Sequence, residues 1–147
     1  PPLIEPVPDR AIPLWGICVG AQLLTRGSKE GDEPGLGWIA AETRRFPDLP
    51  AFDYKVPHMG WNLAEPQQPH ALFEGFTEAP RFYFVHSYYM ACDTRESLLA
   101  RTKHGVEFAS AVVSENIAGV QYHPEKSHKF GMQLLRSFAA ADRTLPA

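Results

Sequence analysis

The sequence predicts an α/β domain, a buried sheet with helices packed against it. Three observations carry this. Ile12 to Cys18 is apolar on both alternations, as a strand covered on both faces requires. It runs straight into a helix-forming stretch, Val19 to Arg26, whose packing residues are Ala21, Leu23 and Leu24. Several strand-like runs then precede a closing helical stripe, and strand, helix, strands, helix is the order of a layered α/β domain. The 147 residues suffice for one domain with a proper core and not for two ordinary ones.

Residues 1–11 contain four prolines and are expected to form an irregular lead-in, with one domain over 12–141. Gly27 ends the first helix. Gly31 to Trp38 is turn-rich, Ile39 to Phe46 is a strand, and Pro47 to Lys55 is a loop. A short strand from Val56 runs into a bend near Asn62, and 63–80 is loop with room for one helical turn. Arg81 to Met90 is aromatic and β-branched, hence a strand. Ser97 to Thr102 and Phe108 to Ser114 form a hairpin around His104-Gly105. Ile117 to Tyr122 is the last strand, and Phe130, Leu134, Leu135 and Phe138 mark a helix over Phe130 to Ala140.

Composition narrows the function. A net charge of −3 with scattered Lys and Arg gives no footprint for nucleic acid. No apolar run reaches membrane-spanning length. The two cysteines, Cys18 and Cys92, cannot build a disulfide framework, and no Cys/His spacing suggests a metal. A reducing cytoplasm is the expected setting. Cys92, closing an aromatic run, reads as a small buried hydrophobe.

Chemistry concentrates in two places. Gly16-Ile17-Cys18-Val19-Gly20 has the form of a nucleophile elbow with cysteine in place of serine. A strand-to-helix turn there would set the thiol at a helix N-terminus, which favours thiolate. Taken alone, the pattern serves equally well for a buried cysteine in a strand-turn-helix. About a hundred residues on, His123-Pro124-Glu125 follows the last strand. Residues two apart on extended backbone share a side, so Glu125 can hold His123 in the tautomer that accepts a proton. The two patterns in one chain point to acyl transfer through a thioester. Among the other histidines, His70 and His104 read as loop residues, His128 has no convincing metal partners, and His58 and His86 sit in polar-aromatic strings at expected strand ends.

With these segments in view the chain resembles the class I, triad-type glutamine amidotransferases, and within them the glutaminase subunits of imidazole glycerol phosphate synthases. The matching strings are Gly16-Ile-Cys-Val-Gly-Ala-Gln22, Pro34-Gly-Leu-Gly-Trp38, Lys55-Val-Pro-His-Met-Gly-Trp-Asn62, Phe82-Tyr-Phe-Val-His-Ser-Tyr88 and Gly119-Val-Gln-Tyr-His-Pro-Glu-Lys-Ser127. The resemblance implies a flavodoxin-like, mostly parallel sheet with flanking helices. It implies that Cys18, His123 and Glu125 form the triad, with no cofactor and no metal, and that Val19 N–H supplies an oxyanion donor. Gln22 and Glu30 match positions that hold glutamine. His86, Ser87 and Tyr88 match its other contacts, partly through backbone groups. His58, Met59, Gly60, Trp61 and Asn62 match the region facing a (β/α)8-barrel cyclase subunit, to which ammonia passes for histidine biosynthesis. The implied assembly is a heterodimer in the cytoplasm.

Members of this family carry a further N-terminal region with strands, a helix and the turn giving a second oxyanion N–H. Residues 1–11 do not fill that part, so the N-terminal portion of the fold is expected to be missing. Paralogues that supply ammonia for amidating surface-polysaccharide sugars share most of these motifs. A catalytically impaired fragment acting only as a partner-binding module is a further alternative.

Overall fold

The structure is a computed structural model that describes residues 13–27, 34–47 and 55–141. In chain order its elements are β1 (Leu14–Ile17), α1 (Val19–Leu24), β2 (Ala41–Arg45), β3 (His58–Leu63), β4 (Glu65–Pro66), β5 (Arg81–His86), β6 (Tyr88–Cys92), β7 (Leu98–His104), β8 (Val106–Ser114), β9 (Ile117–Val120) and α2 (His128–Ala141). Short 3₁₀ turns cover Ala71–Phe73, Arg95–Ser97 and Pro124–Lys126.

The main sheet runs β1-β9-β8-β6-β2, with β7 on β8 and β4 on β7. β1 and β9 are parallel, with Leu14 opposite Ile117 and Ile17 opposite Val120. The remaining pairings among the described residues are antiparallel, so the α/β sheet is mixed, and its parallel character lies at β1 and β9. β8 explains itself from sequence: Phe108 to Val113 is buried throughout because the strand is covered on both faces. On one face α1 packs Ala21 and Leu24 against Ile39, Met90, Ala109, Val112 and Ile117. On the other, Phe82, Phe84, Tyr122, Val120 and Leu134 form the larger core under α2 and the β3–β5 pair. Phe82 stacks on Tyr122 at 3.8 Å, and Phe138 of α2 reaches Trp15 at 5.0 Å.

Two expectations change in detail. The single strand over 81–90 is two strands, because the chain bends at Ser87, whose carbonyl accepts Phe46 N–H at 3.1 Å. β5 then pairs with β3 in a separate two-stranded sheet, His58 opposite His86, while β6 joins the main sheet. The first helix stops at Leu24 rather than Arg26. Thr25 is extended, and its hydroxyl donates to the Gln22 carbonyl at 2.7 Å, a local bond that competes with the helical ladder.

The turn-rich segment after this helix satisfies its end. Leu36 N–H donates to Leu23, Trp38 and Ile39 to Leu24, and Gly37 to Thr25, so the last carbonyls that this helix terminus leaves open find donors in the segment. Gly35 is required there, because a Cβ would lie 2.0 Å from the Thr25 carbonyl oxygen. The lead-in over 1–11 and the position of Glu30 lie outside the described residues. Among the described residues no helix is long and apolar enough to cross a membrane.

Candidate active site

β1 delivers Cys18 to the carboxyl edge of the sheet. Cys18 is the N-cap of α1, at φ 55° and ψ −112°, a left-handed φ that side-chain-bearing residues rarely adopt. The turn is closed by Cys18 N–H to the Val120 carbonyl, 2.8 Å, and by Gln22 N–H to the Cys18 carbonyl, 3.2 Å. Gly16 makes room for it, since a Cβ there would sit 2.7 Å from the Gly20 carbonyl oxygen. Burial pushes the Cys18 thiol up, and the Val19 backbone N–H and the Gln121 side chain pull against that rise. The sequence had suggested a lowered thiol; in the half-buried pocket desolvation outweighs these donors.

The parallel partner β9 delivers the second half. Beyond Val120 the chain continues through Gln121 and Tyr122 to His123. His123 Nδ1 lies 2.7 Å from Glu125 Oε1. With Nδ1–H donating to the carboxylate, Nε2 holds the lone pair, which is the tautomer needed to accept a proton. The pairing expected from extended backbone arises in a different way: His123 is extended, but Pro124–Lys126 is a 3₁₀ turn that brings the carboxylate back to the ring. His123 is tied to β5 by its N–H to the Tyr83 carbonyl, 2.9 Å. Ser127, wholly buried, donates its hydroxyl to the His123 carbonyl at 2.6 Å and accepts Tyr83 N–H at 2.9 Å.

The thiol and the imidazole share this edge without a hydrogen bond between them. The side chain bonded to the sulfur is Gln121, with Nε2 at 3.7 Å from Sγ. Catalytic hydrogen bonds of this kind often tighten only around substrate.

Gln22, on α1, turns inward and donates to the Tyr88 carbonyl at 3.2 Å and to Gln121 Oε1 at 3.0 Å. The same carbonyl accepts His86 Nδ1–H at 2.6 Å. Gln22 and His86 therefore meet at the Tyr88 carbonyl, and Ser87 forms the bend between β5 and β6. His86 Nε2 lies 3.0 Å from His58 Nδ1, and the two rings are packed against Phe46, Phe84 and Phe108. Burial holds His58 down to about 3 and His86 to about 4, so both are neutral at ordinary pH.

Strand alternation divides the stretch 58–62. His58 is 4% exposed and Asn62 turns inward to it, whereas Met59 is 62% and Trp61 47% exposed. Trp61 stacks on His128 at 5.7 Å and meets Tyr83 edge-on. A partner on this face would touch Met59 and Trp61, with His58 and Asn62 behind them. Among the described residues no group of His, Cys, Asp and Glu could hold a metal. Two contributors escaped the reading of the sequence, Gln121 and Ser127. Both stand inside the quoted Gly119–Ser127 string, as polar residues at positions the fold buries.

The family model for Glutamine amidotransferase class-I matches residues 1–141. The chain belongs to this family. It is 48% identical over 136 residues to an imidazole glycerol phosphate synthase subunit HisH 2 of Pseudomonas aeruginosa, covering 92% of this chain and 66% of that one. It is 46% identical over 129 residues to an imidazole glycerol phosphate synthase subunit HisH of Bdellovibrio bacteriovorus, covering 87% and 63%. The chain thus spans just under two thirds of the length of these relatives. A glutamine amidotransferase crystal structure from Thermotoga maritima superposes with a TM-score of 0.60 at 19% identity, over 98% of this chain and 57% of that one, which establishes the shared fold.

Proposed function

We propose that this class-I amidotransferase chain hydrolyses glutamine to glutamate and ammonia. Cys18 attacks the side-chain amide carbon, and its proton goes to His123 Nε2. The C–N bond breaks as that proton passes to the departing ammonia, leaving a thioester. Water, deprotonated by His123, then cleaves the C–S bond, and glutamate leaves. Glu125 orients the ring and stabilises its cationic form. Val19 N–H is the oxyanion donor, and Gln22, Glu30, His86, Ser87 and Tyr88 hold the substrate. The observation that carries this reading is the placement of Cys18 in a left-handed elbow at the end of β1, beside the parallel strand whose continuation bears the His123–Glu125 pair at 2.7 Å.

The ammonia goes to a (β/α)8-barrel synthase subunit in histidine biosynthesis, in a cytoplasmic heterodimer docked over Met59, Gly60 and Trp61. The names of the relatives and the exposed apolar side chains of β3 support this. The test is glutamate release from glutamine, with and without a barrel subunit, by this chain and by Cys18→Ala. Hydrolysis that needs Cys18 and rises with the partner is expected. Equal hydrolysis by Cys18→Ala refutes the mechanism. A partner-binding module without turnover is the second reading, favoured by the unbonded thiol and imidazole. It predicts partner binding with no glutamate released.

A further inference from the structure

The side chains behind Cys18 form a hydrogen-bonded chain with only one possible direction. Its fixed point is the Tyr88 carbonyl, which can only accept. Gln22 presents its amide nitrogen to that carbonyl, so the second hydrogen of the same nitrogen faces Gln121. Gln121 must then offer its oxygen to Gln22, and its own amide nitrogen is turned to the sulfur. The histidines obey the same logic. His86 Nδ1–H is committed to the Tyr88 carbonyl, so Nε2 accepts, and His58 Nδ1 donates to it. His58 Nε2 in turn accepts from the Asn62 amide at 3.2 Å, whose oxygen is engaged by Leu63 N–H at 2.8 Å. No member can flip without breaking a bond at both ends.

Gln121 is wholly buried. With its oxygen taken, it offers Cys18 a donor and nothing else. A thiol S–H finds no acceptor on that side, whereas a thiolate finds a neutral N–H already in place. Placing such a donor carries no charge penalty, unlike a buried lysine.

We propose that Gln121 is a positioning residue for the nucleophile, holding the Cys18 sulfur through an amide donor whose orientation is set by Gln22 and the Tyr88 carbonyl. This rests on the reading of Cys18 as the nucleophile, and it holds whatever acyl group that sulfur takes up. The other groups acting on the sulfur are Val19 N–H on α1, and Glu125 and Lys126 after the end of β9; Glu125 opposes the thiolate and Lys126 favours it. β1, α1 and β9 carry no charged side chain.

The test is the pH dependence of Cys18 alkylation by iodoacetamide, read peptide by peptide by mass spectrometry so that Cys92 is counted separately. Gln121→Met removes the donor, and Gln121→Glu keeps the shape and the oxygen bonded by Gln22. In Gln121→Met the Cys18 rate at pH 7 should fall about tenfold with an unchanged plateau at high pH, the scale of a lost hydrogen bond to an ion. Gln121→Glu should fall further. A packing role alone would change the plateau and leave the midpoint. In the unmodified chain the Gln121 side-chain amide resonance should move with the Cys18 midpoint, a readout that needs no variant to fold. An unmoved midpoint in the variants, or an amide resonance indifferent to Cys18 ionisation, overturns the proposal. Alkylation requires no glutamine. A shifted midpoint without glutamine hydrolysis removes the glutaminase reading alone, and hydrolysis with an unmoved midpoint removes this one alone.

Discussion

Gly131 and Gly20 both lie in helices, and replacing each by alanine should move stability in opposite directions. Alanine in a helix gains about 1 kcal/mol over glycine from the reduced freedom of the unfolded chain and better helix propensity. At Gly20 nothing lies within 4 Å of the added Cβ, so a stabilisation of about 0.5–1 kcal/mol should appear almost whole. At Gly131 the Cβ would stand 1.8 Å from the Pro124 carbonyl oxygen, far inside the 3.4 Å at which ordinary contact begins. That oxygen accepts Ser127 N–H at 3.0 Å and belongs to the backbone of the turn carrying Glu125, so it cannot swing aside as a side-chain tip would. Either α2 or the turn must shift. Overpacking of this kind costs about 1–3 kcal/mol, and weakening the Ser127 bonds costs about 1 kcal/mol more. After subtracting the helix gain, Gly131→Ala should be less stable by about 2 kcal/mol. Urea denaturation at pH 7, with equal slopes for the variants, measures both. Glutamine hydrolysis should fall in Gly131→Ala as well, because His123 and Glu125 flank Pro124. A Gly131→Ala chain as stable as its parent would refute the packing deduced for this turn.

The buried imidazoles predict acid lability with a definite sign. Unfolded, His58 and His86 take up a proton near pH 6.5; folded, they refuse it until about 3 and about 4. Their contribution is therefore complete above pH 6.5 and drains away as pH falls toward those folded values. Between pH 6.5 and 5, where carboxylates stay ionised, stability should drop by about 3 kcal/mol. Urea titrations at the two pH values would show it, and a flat result would mean that these rings are solvated. Ser127→Ala removes the hydroxyl shared by His123 and Tyr83 and should cost about 1–3 kcal/mol in denaturation, with the turnover number falling more than KM changes. An unaltered turnover number would show that His123 needs no such tether.

The sequence carried the two ends of the site plainly because each rests on a local rule. Gly-x-Cys-x-Gly spells out a tight turn, and the structure shows that the glycine before the cysteine is required, since Gly16 has no room for a Cβ, whereas Gly20 has open space. The hairpin about Gly105 follows from alternation and a residue suited to positive φ, found at 72°. What lies between is long-range. Gln22 and Gln121 are separated by 99 residues, and nothing local distinguishes a buried amide bonded to sulfur from one facing water. The break at Ser87 was visible as a fault in the apolar alternation. That it sends β5 and β6 into different sheets depends on β2 and β3, which arrive from elsewhere in the chain.

Strand direction is what makes the site possible. Two strands deliver their following residues to the same edge only if they run parallel, because antiparallel neighbours send theirs to opposite ends. Among the described residues the parallel pair is β1 with β9, the other pairings being antiparallel, and both chemical segments follow directly from it. The in-register pairing of Ile17 with Val120 places Cys18 level with Gln121, one residue beyond each strand. Shifting β9 by one residue would turn Gln121 away from the sulfur and put Tyr122 in its place. The register therefore selects which side chain greets the thiol. It is held by Gly119, where a Cβ would press Ala21 at 3.0 Å and Val112 at 3.2 Å. A larger residue at 119 would lift β9 from α1, so the spacing between nucleophile and base depends on a glycine that touches neither.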